Sequence, residues 1–123
     1  MATTNLTADS FGETVAQNNI VFVDFWAAWC PPCRAFAPVF EKASERHPGI
    51  VFGKVDTEAE QQLAATARIT SIPTLMAFRE QTLVFSQPGA LNSQQFEQLI
   101  SVIEQLDMEE VRRGLKSEPA SRA

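Results

Sequence analysis

The sequence predicts an α/β fold in which a central sheet carries helices on both faces, and three observations lead there. Residues 20–26 form a run that is β-branched and aromatic almost throughout, the pattern of a central strand covered on both sides. Residues 32–47 then place Phe36, Val39, Phe40 and Ala43 at spacings of three and four, on one face of a helix. Beyond them apolar strands and amphipathic segments keep alternating, and two strands lie close enough to pair as a hairpin.

In chain order, residues 10–16 read as a short helix following Asp9, and residues 20–26 as the central strand. The helix of residues 32–47 contains Pro38, which predicts a kink. Residues 50–56 form another strand and 58–67 a helix. Residues 74–79 and 83–87 pair around Glu80 and Gln81, a turn without the usual glycine. Ser93 caps a helix carrying Phe96, Leu99, Ile100, Ile103 and Leu106 on one face. The resulting order is strand, helix, strand, helix, strand, helix, strand, strand, helix. Val111 and Leu115 let the last helix run past Leu106, whereas residues 117–123 are small and polar and predict a disordered tail.

A chain of 123 residues suits one domain that buries a core without disulfide or metal support. That domain is placed over residues 1–106, with a helical extension and tail over 107–123. The net charge of -5 and the lack of any Lys/Arg cluster argue against a nucleic-acid partner. Residues 1–7 are polar, without a basic segment leading into an apolar run, and no stretch could span a bilayer. A monomer in a reducing cytoplasm is expected, with no membrane partner.

The only two cysteines, Cys30 and Cys33, stand where the apolar strand runs into a helix. A Cys-X-X-Cys pair closes a very small disulfide ring, so little chain entropy is lost on oxidation and the bond can be reduced again. Pro31 and Pro32 lack N–H groups, so the first main-chain donors near Cys30 belong to Cys33 and Arg34. These donors and the positive helix end favour a thiolate, and Arg34 adds a cation or is simply a solvated helix residue. A free thiol of pKa about 8.5 is only roughly 3% ionised at pH 7, so any depression raises its reactivity. By helix position Cys30 is the exposed attacking sulfur and Cys33 the shielded resolving one. Two other readings are weaker. Inert buried thiols leave Trp29 and the helix start unexplained, and a zinc site lacks ligands, with His47 the only histidine. His47 itself reads as a helix C-terminal capping residue.

Asp24 lies in the strand covered on both faces, where an unpaired carboxylate is costly, so its pKa should be raised. Two roles are compatible with that position. Asp24 could reach toward Cys33 through water and take its proton, or it could form an ion pair with Lys54 on the strand alongside. Ile72-Pro73 precedes a strand and suggests a tight turn.

Trp29, Cys30, Pro31, Pro32, Cys33 and Arg34, read with Asp24, Trp26 and Ser71, Ile72, Pro73, Thr74, resemble the thioredoxin family, whose usual pattern is Trp-Cys-Gly-Pro-Cys followed by Lys. Residues 23–27 match the family's approach to its active site, and Pro38, Lys54, Ile72, Pro73 and Gly89 stand at matching places. The resemblance runs from Asn5 to about Leu106, with Pro31 and Arg68 standing where the family has glycine. It implies a thioredoxin fold, with a central mixed sheet flanked by helices on both faces. It also implies a thiol-disulfide oxidoreductase that reduces protein disulfides and needs no bound cofactor. A thioredoxin reductase using NADPH and flavin would be the electron donor. The resemblance favours the catalytic role for Asp24 with Lys54 beside it, and a cis Pro73 next to the dithiol. Trp29, Pro31, Pro32, Ile72, Pro73, Gly89 and Ala90 would contact the substrate along an apolar groove, while Trp26 reads as core packing. Pro31 leaves a more oxidising, isomerase-like role open, and a binding module that grips a partner without turnover is the alternative of another class.

Overall fold

The computed structural model of the chain describes residues 2–117. Five strands, β1 (Thr3–Asn5), β2 (Ile20–Trp26), β3 (Val51–Asp56), β4 (Thr74–Arg79) and β5 (Thr82–Pro88), form one mixed sheet in the order β1-β3-β2-β4-β5. Strands β1 and β2 run parallel to β3, whereas β4 is antiparallel to both β2 and β5. The central place of β2 follows from its composition: every residue from Ile20 to Phe25 is buried.

Strand alternation divides the core in two. Ile20 and Phe22 point with Phe52 and Leu75 to the face covered by α2 (Pro31–Arg46) and α4 (Ser93–Glu104), which contribute Phe36, Phe40, Ala43, Phe96, Ile100 and Ile103. Val21, Val23 and Phe25 point to the other face, against Phe11 of α1 (Ala8–Gln17) and Leu63 of α3 (Gln61–Thr66). Phenylalanines dominate the first face, where Phe22, Phe40, Phe52 and Phe96 meet in stacked and edge-on contacts.

Several boundaries differ from the sequence reading, each for a local reason. Helix α1 begins at Ala8, ahead of the expected start after Asp9, because Thr7 is its cap and exchanges hydrogen bonds with Ser10 in a capping box. Asn92, and not Ser93, caps α4 by accepting from Gln95 N–H at 2.8 Å. Helix α3 is shorter than expected because Asp56 Oδ1 accepts the N–H groups of Glu58 and Ala59 at 2.9 and 3.4 Å, turning those residues aside. The last helix is broken in two, with α5 spanning Met108–Ser117. Arg79 donates to the carbonyls of Ile103, Glu104 and Leu106, occupying the acceptors a continuous helix would use, and Asp107 Oδ1 accepts Glu110 N–H to start α5. Of the disordered tail expected over residues 117–123, Ser117 is instead the last residue of α5, and the rest lies outside the described residues. Helix α2 runs unbroken past Pro38, whose ring is exposed.

The hairpin forms without glycine: Glu80 and Gln81 hold φ of 52 and 67°. Arg68 holds φ 60° in the same left-handed region, which gives a physical reason for the glycine found there in the family the chain resembles. Gly53 is required by close approach, since a Cβ there would overlap Leu6 Cδ1, and Leu6 is itself buried between β1 and α1. Gly53→Ala should therefore destabilise the fold by about 1–3 kcal/mol, read as a lower urea midpoint with an unchanged slope.

Candidate active site

The site is assembled where β2 ends. From Trp26 the chain turns through residues 27–29 and enters α2 with Cys30 as the N-cap, and Pro31 and Pro32 occupy the first turn. With two N–H groups removed, the first free donor is Cys33 N–H, which points at Cys30 Sγ from 3.2 Å, while Arg34 N–H closes on Cys30 O at 3.1 Å. The Arg34 side chain turns the other way and donates to Ala28 O at 2.9 Å, so it braces the loop before the cysteine.

Cys30 and Cys33 are joined in a disulfide, with Cα atoms 5.2 Å apart. The expectation of an exposed Cys30 is corrected: both cysteines are only 2% exposed. The shielding comes from Ile72 and Trp26, which pack on the cluster of Ala27, Cys30 and Cys33, and from Ile72 O, 3.7 Å from Cys30 Sγ. The two sulfurs still differ in access, because Cys30 forms part of the wall of a 460 Å³ cavity that Cys33 does not reach. Beside the cysteines Trp29 stands on the surface, 64% exposed.

That cavity brings together four of the expected contact residues, Trp29, Pro31, Pro32 and Ile72. It also has a wall that the sequence reading did not assign to the groove, made by Thr57, Ala64, Ile69, Thr70 and Ser71. Thr57 is placed by the β2–β3 pairing, its N–H and hydroxyl both donating to Trp26 O at 2.9 and 3.0 Å. The contiguous run ahead of Pro73 was the available signal for Ile69 to Ser71, whereas nothing local marks Thr57 or Ala64.

The other expected groove residues lie elsewhere. Pro73 follows a cis peptide bond and is buried, its carbonyl accepting Gly89 N–H at 2.8 Å. Gly89 lines a separate 330 Å³ cavity with Leu75, Phe85 and Leu91, on the α2/α4 face, and Ala90 is exposed and lines neither. The cause is topological: β5 lies beyond β4, whereas the large cavity opens on the α3 side.

Asp24 is fully buried, and neither carboxylate oxygen has a hydrogen-bond partner. Burial pushes its pKa up to about 7, and the Lys54 charge pulls against that rise. Lys54 stands directly across from Asp24 in the β2–β3 register, with its ammonium 5.1 Å from the centre of the Trp26 ring. The influence of Lys54 on Asp24 is therefore that of a nearby charge without a direct hydrogen bond. His47 caps α2 through its N–H to Ala43 O, and its ring nitrogen lies 2.8 Å from Glu97 of α4.

Among the described residues no helix is long and apolar enough to cross a membrane. The Thioredoxin family matches residues 2–103. The chain is 50% identical over 119 residues to a putative thioredoxin 2 of Streptomyces coelicolor, a match covering 97% of this chain and 89% of that protein. It is 38% identical over 90 residues to thioredoxin-1 of Saccharomyces cerevisiae, covering 73% of this chain and 87% of the relative. Among solved structures it superposes on the thioredoxin of Plasmodium falciparum with a TM-score of 0.74 at 34% identity, over 80% of this chain and 96% of the other.

Proposed function

The chain belongs to the thioredoxin family and is a protein-disulfide reductase working through the Cys30–Cys33 pair, and from that premise we propose how the site divides the work. Cys30 attacks a sulfur of the substrate disulfide as the thiolate, forming a mixed disulfide and releasing one substrate thiolate. Asp24 takes the proton of the Cys33 thiol, and the Cys33 thiolate then attacks Cys30 Sγ. The second substrate thiolate leaves, two electrons have passed to the substrate, and the Cys30–Cys33 disulfide remains. The observation that carries this order is the unequal access of the two sulfurs: Cys30 meets the cavity and receives Cys33 N–H, whereas Cys33 is enclosed.

The neutral, largely apolar cavity suits an extended segment of a partner protein, seated between Trp29 and residues 69–72 and pairing its backbone with Ile72 O, which lies 3.7 Å from Cys30 Sγ. Re-reduction by an NADPH- and flavin-dependent thioredoxin reductase, in a reducing cytoplasm, completes an electron-transport cycle that maintains redox homeostasis. The protein acts as a monomer without a bound cofactor, membrane or nucleic acid. The test is insulin reduction driven by NADPH and a thioredoxin reductase: catalytic precipitation of insulin chains with stoichiometric NADPH use is expected, and no turnover beyond one equivalent would refute the reading.

Pro31 tunes this cycle. It restricts the backbone between the two sulfurs, where the family pattern has glycine. Pro31→Gly should make the dithiol more reducing, by on the order of 30 mV, about 1.4 kcal/mol for two electrons. Equilibration in glutathione buffers measures it, and an unchanged or more positive potential would contradict it.

A further inference from the structure

Asp24, Trp26 and Lys54 share one face of the sheet. Asp24 and Trp26 are alternate residues of β2, and Lys54 is the β3 partner of Asp24. This is the face that α2 covers. The Lys54 ammonium lies 5.1 Å from the Trp26 ring centre, within cation–π range, and the same indole packs on the cluster of Ala27, Cys30 and Cys33.

The indole makes no use of its polar edge: Trp26 Nε1 is buried without a hydrogen-bond partner. A buried, unpaired N–H is costly, and phenylalanine would fill an apolar slot without it. What indole offers in return is the most attractive ring face for a cation. Lys54 has other places to go. Lys54 and Trp26 together line a 210 Å³ cavity with Asp56 and Glu60, two anions that compete with Asp24 for the ammonium. A flexible lysine stem would otherwise follow those charges or water.

The geometry points to Trp26 as a positioning residue, whose ring holds the Lys54 ammonium on the Asp24 side so that the carboxylate stays available for the Cys33 proton. This rests on the reading of Asp24 as the base. The titratable groups facing this site in the oxidised protein are few: β3 supplies Lys54 and Asp56, and α2 supplies Glu41, bonded to Thr3 of β1, while Cys30 and Cys33 are tied up in the disulfide. Glu60 lines the smaller cavity beside Lys54, while the β4 partner of Asp24 is the uncharged Leu75. With no hydrogen bond to either Asp24 oxygen, the distance to Lys54 is the main electrostatic control left.

The test follows the Asp24 carboxyl carbon by NMR titration of the oxidised protein, in the parent, Trp26→Phe, Lys54→Met and the double variant. Trp26→Phe should raise the Asp24 midpoint by about half a pH unit, from the weaker ring face. Lys54→Met should raise it at least as far, and the double variant should match Lys54→Met alone. The rising limb of the turnover profile should move to higher pH with it, the parental rate returning at alkaline pH. A midpoint unmoved or lowered by Trp26→Phe, or an equal rise in the Lys54→Met background, would overturn the assignment. In the unaltered protein the Lys54 ε-methylene protons should be shifted upfield by the indole ring current, and unshifted protons would overturn it without any variant. Asp24→Asn turning over at the parental rate would instead refute the base reading, leaving the titration to decide the role of Trp26.

Discussion

Cys30→Ser is expected to reduce disulfides no faster than the uncatalysed background, whereas Cys33→Ser should still attack once and then remain bound to its substrate. Attack requires a sulfur that can meet the substrate and is stabilised as an anion. Cys30 satisfies both, at the cavity wall, at the N-cap of α2, and facing Cys33 N–H at 3.2 Å. Cys33 lies inside the first turn of the helix and out of the cavity, so it can reach Cys30 but not an incoming chain. Losing it leaves the mixed disulfide with no internal thiol to resolve it. Nonreducing gels with a cysteine-containing partner should show covalent adducts for Cys33→Ser and none for Cys30→Ser. Adducts formed equally by both variants would reverse the roles.

Asp24→Asn should separate stability from activity. An acid whose folded pKa is about 7 against an ordinary 3.8 binds its proton more readily when folded. The penalty for holding it ionised is therefore absent below pH about 4, grows as pH rises toward 7, and is constant above that. At full ionisation it is on the order of 4 kcal/mol, from the three-unit displacement. The amide carries no such penalty, so the stability advantage of Asp24→Asn should be larger at pH 8 than at pH 4, read from urea midpoints at both. Turnover should move the opposite way, since Cys33 loses its proton acceptor. The initial attack by Cys30 should keep its rate while resolution slows by about 10²-fold or more. A variant less stable than the parent at pH 8 yet fully active would show Asp24 to be only a structural partner of Lys54.

Much of this was legible in the chain because the deciding signals are local. The unbroken apolarity of β2 told that both faces are covered, and with it that Asp24 could find no water. Pro31 and Pro32 marked the helix start and so the donor aimed at Cys30. What escaped depends on groups distant in sequence or on equivalent local choices. Cys30 was expected to be exposed because its shield, Ile72, lies 42 residues away. Asn92 and Ser93 are both good caps, and only the geometry shows which one accepts from Gln95. The length of α3 was decided by the Asp56 side chain, and the break between α4 and α5 by Arg79 reaching across from β4. Gly89 and Ala90 were grouped with Trp29 by resemblance, but the large cavity lies on the side of the sheet away from the Gly89 cavity.

The most direct measurement of the account is rapid acid quenching of the fully reduced protein mixed with a disulfide-bonded peptide, followed by mass mapping of the transient adduct. With both native cysteines present, the peptide should be attached to Cys30 alone, and the adduct should persist longer in Asp24→Asn because resolution by Cys33 is slowed. Peptide found on Cys33, or an adduct whose lifetime is the same with and without the Asp24 carboxylate, would contradict it.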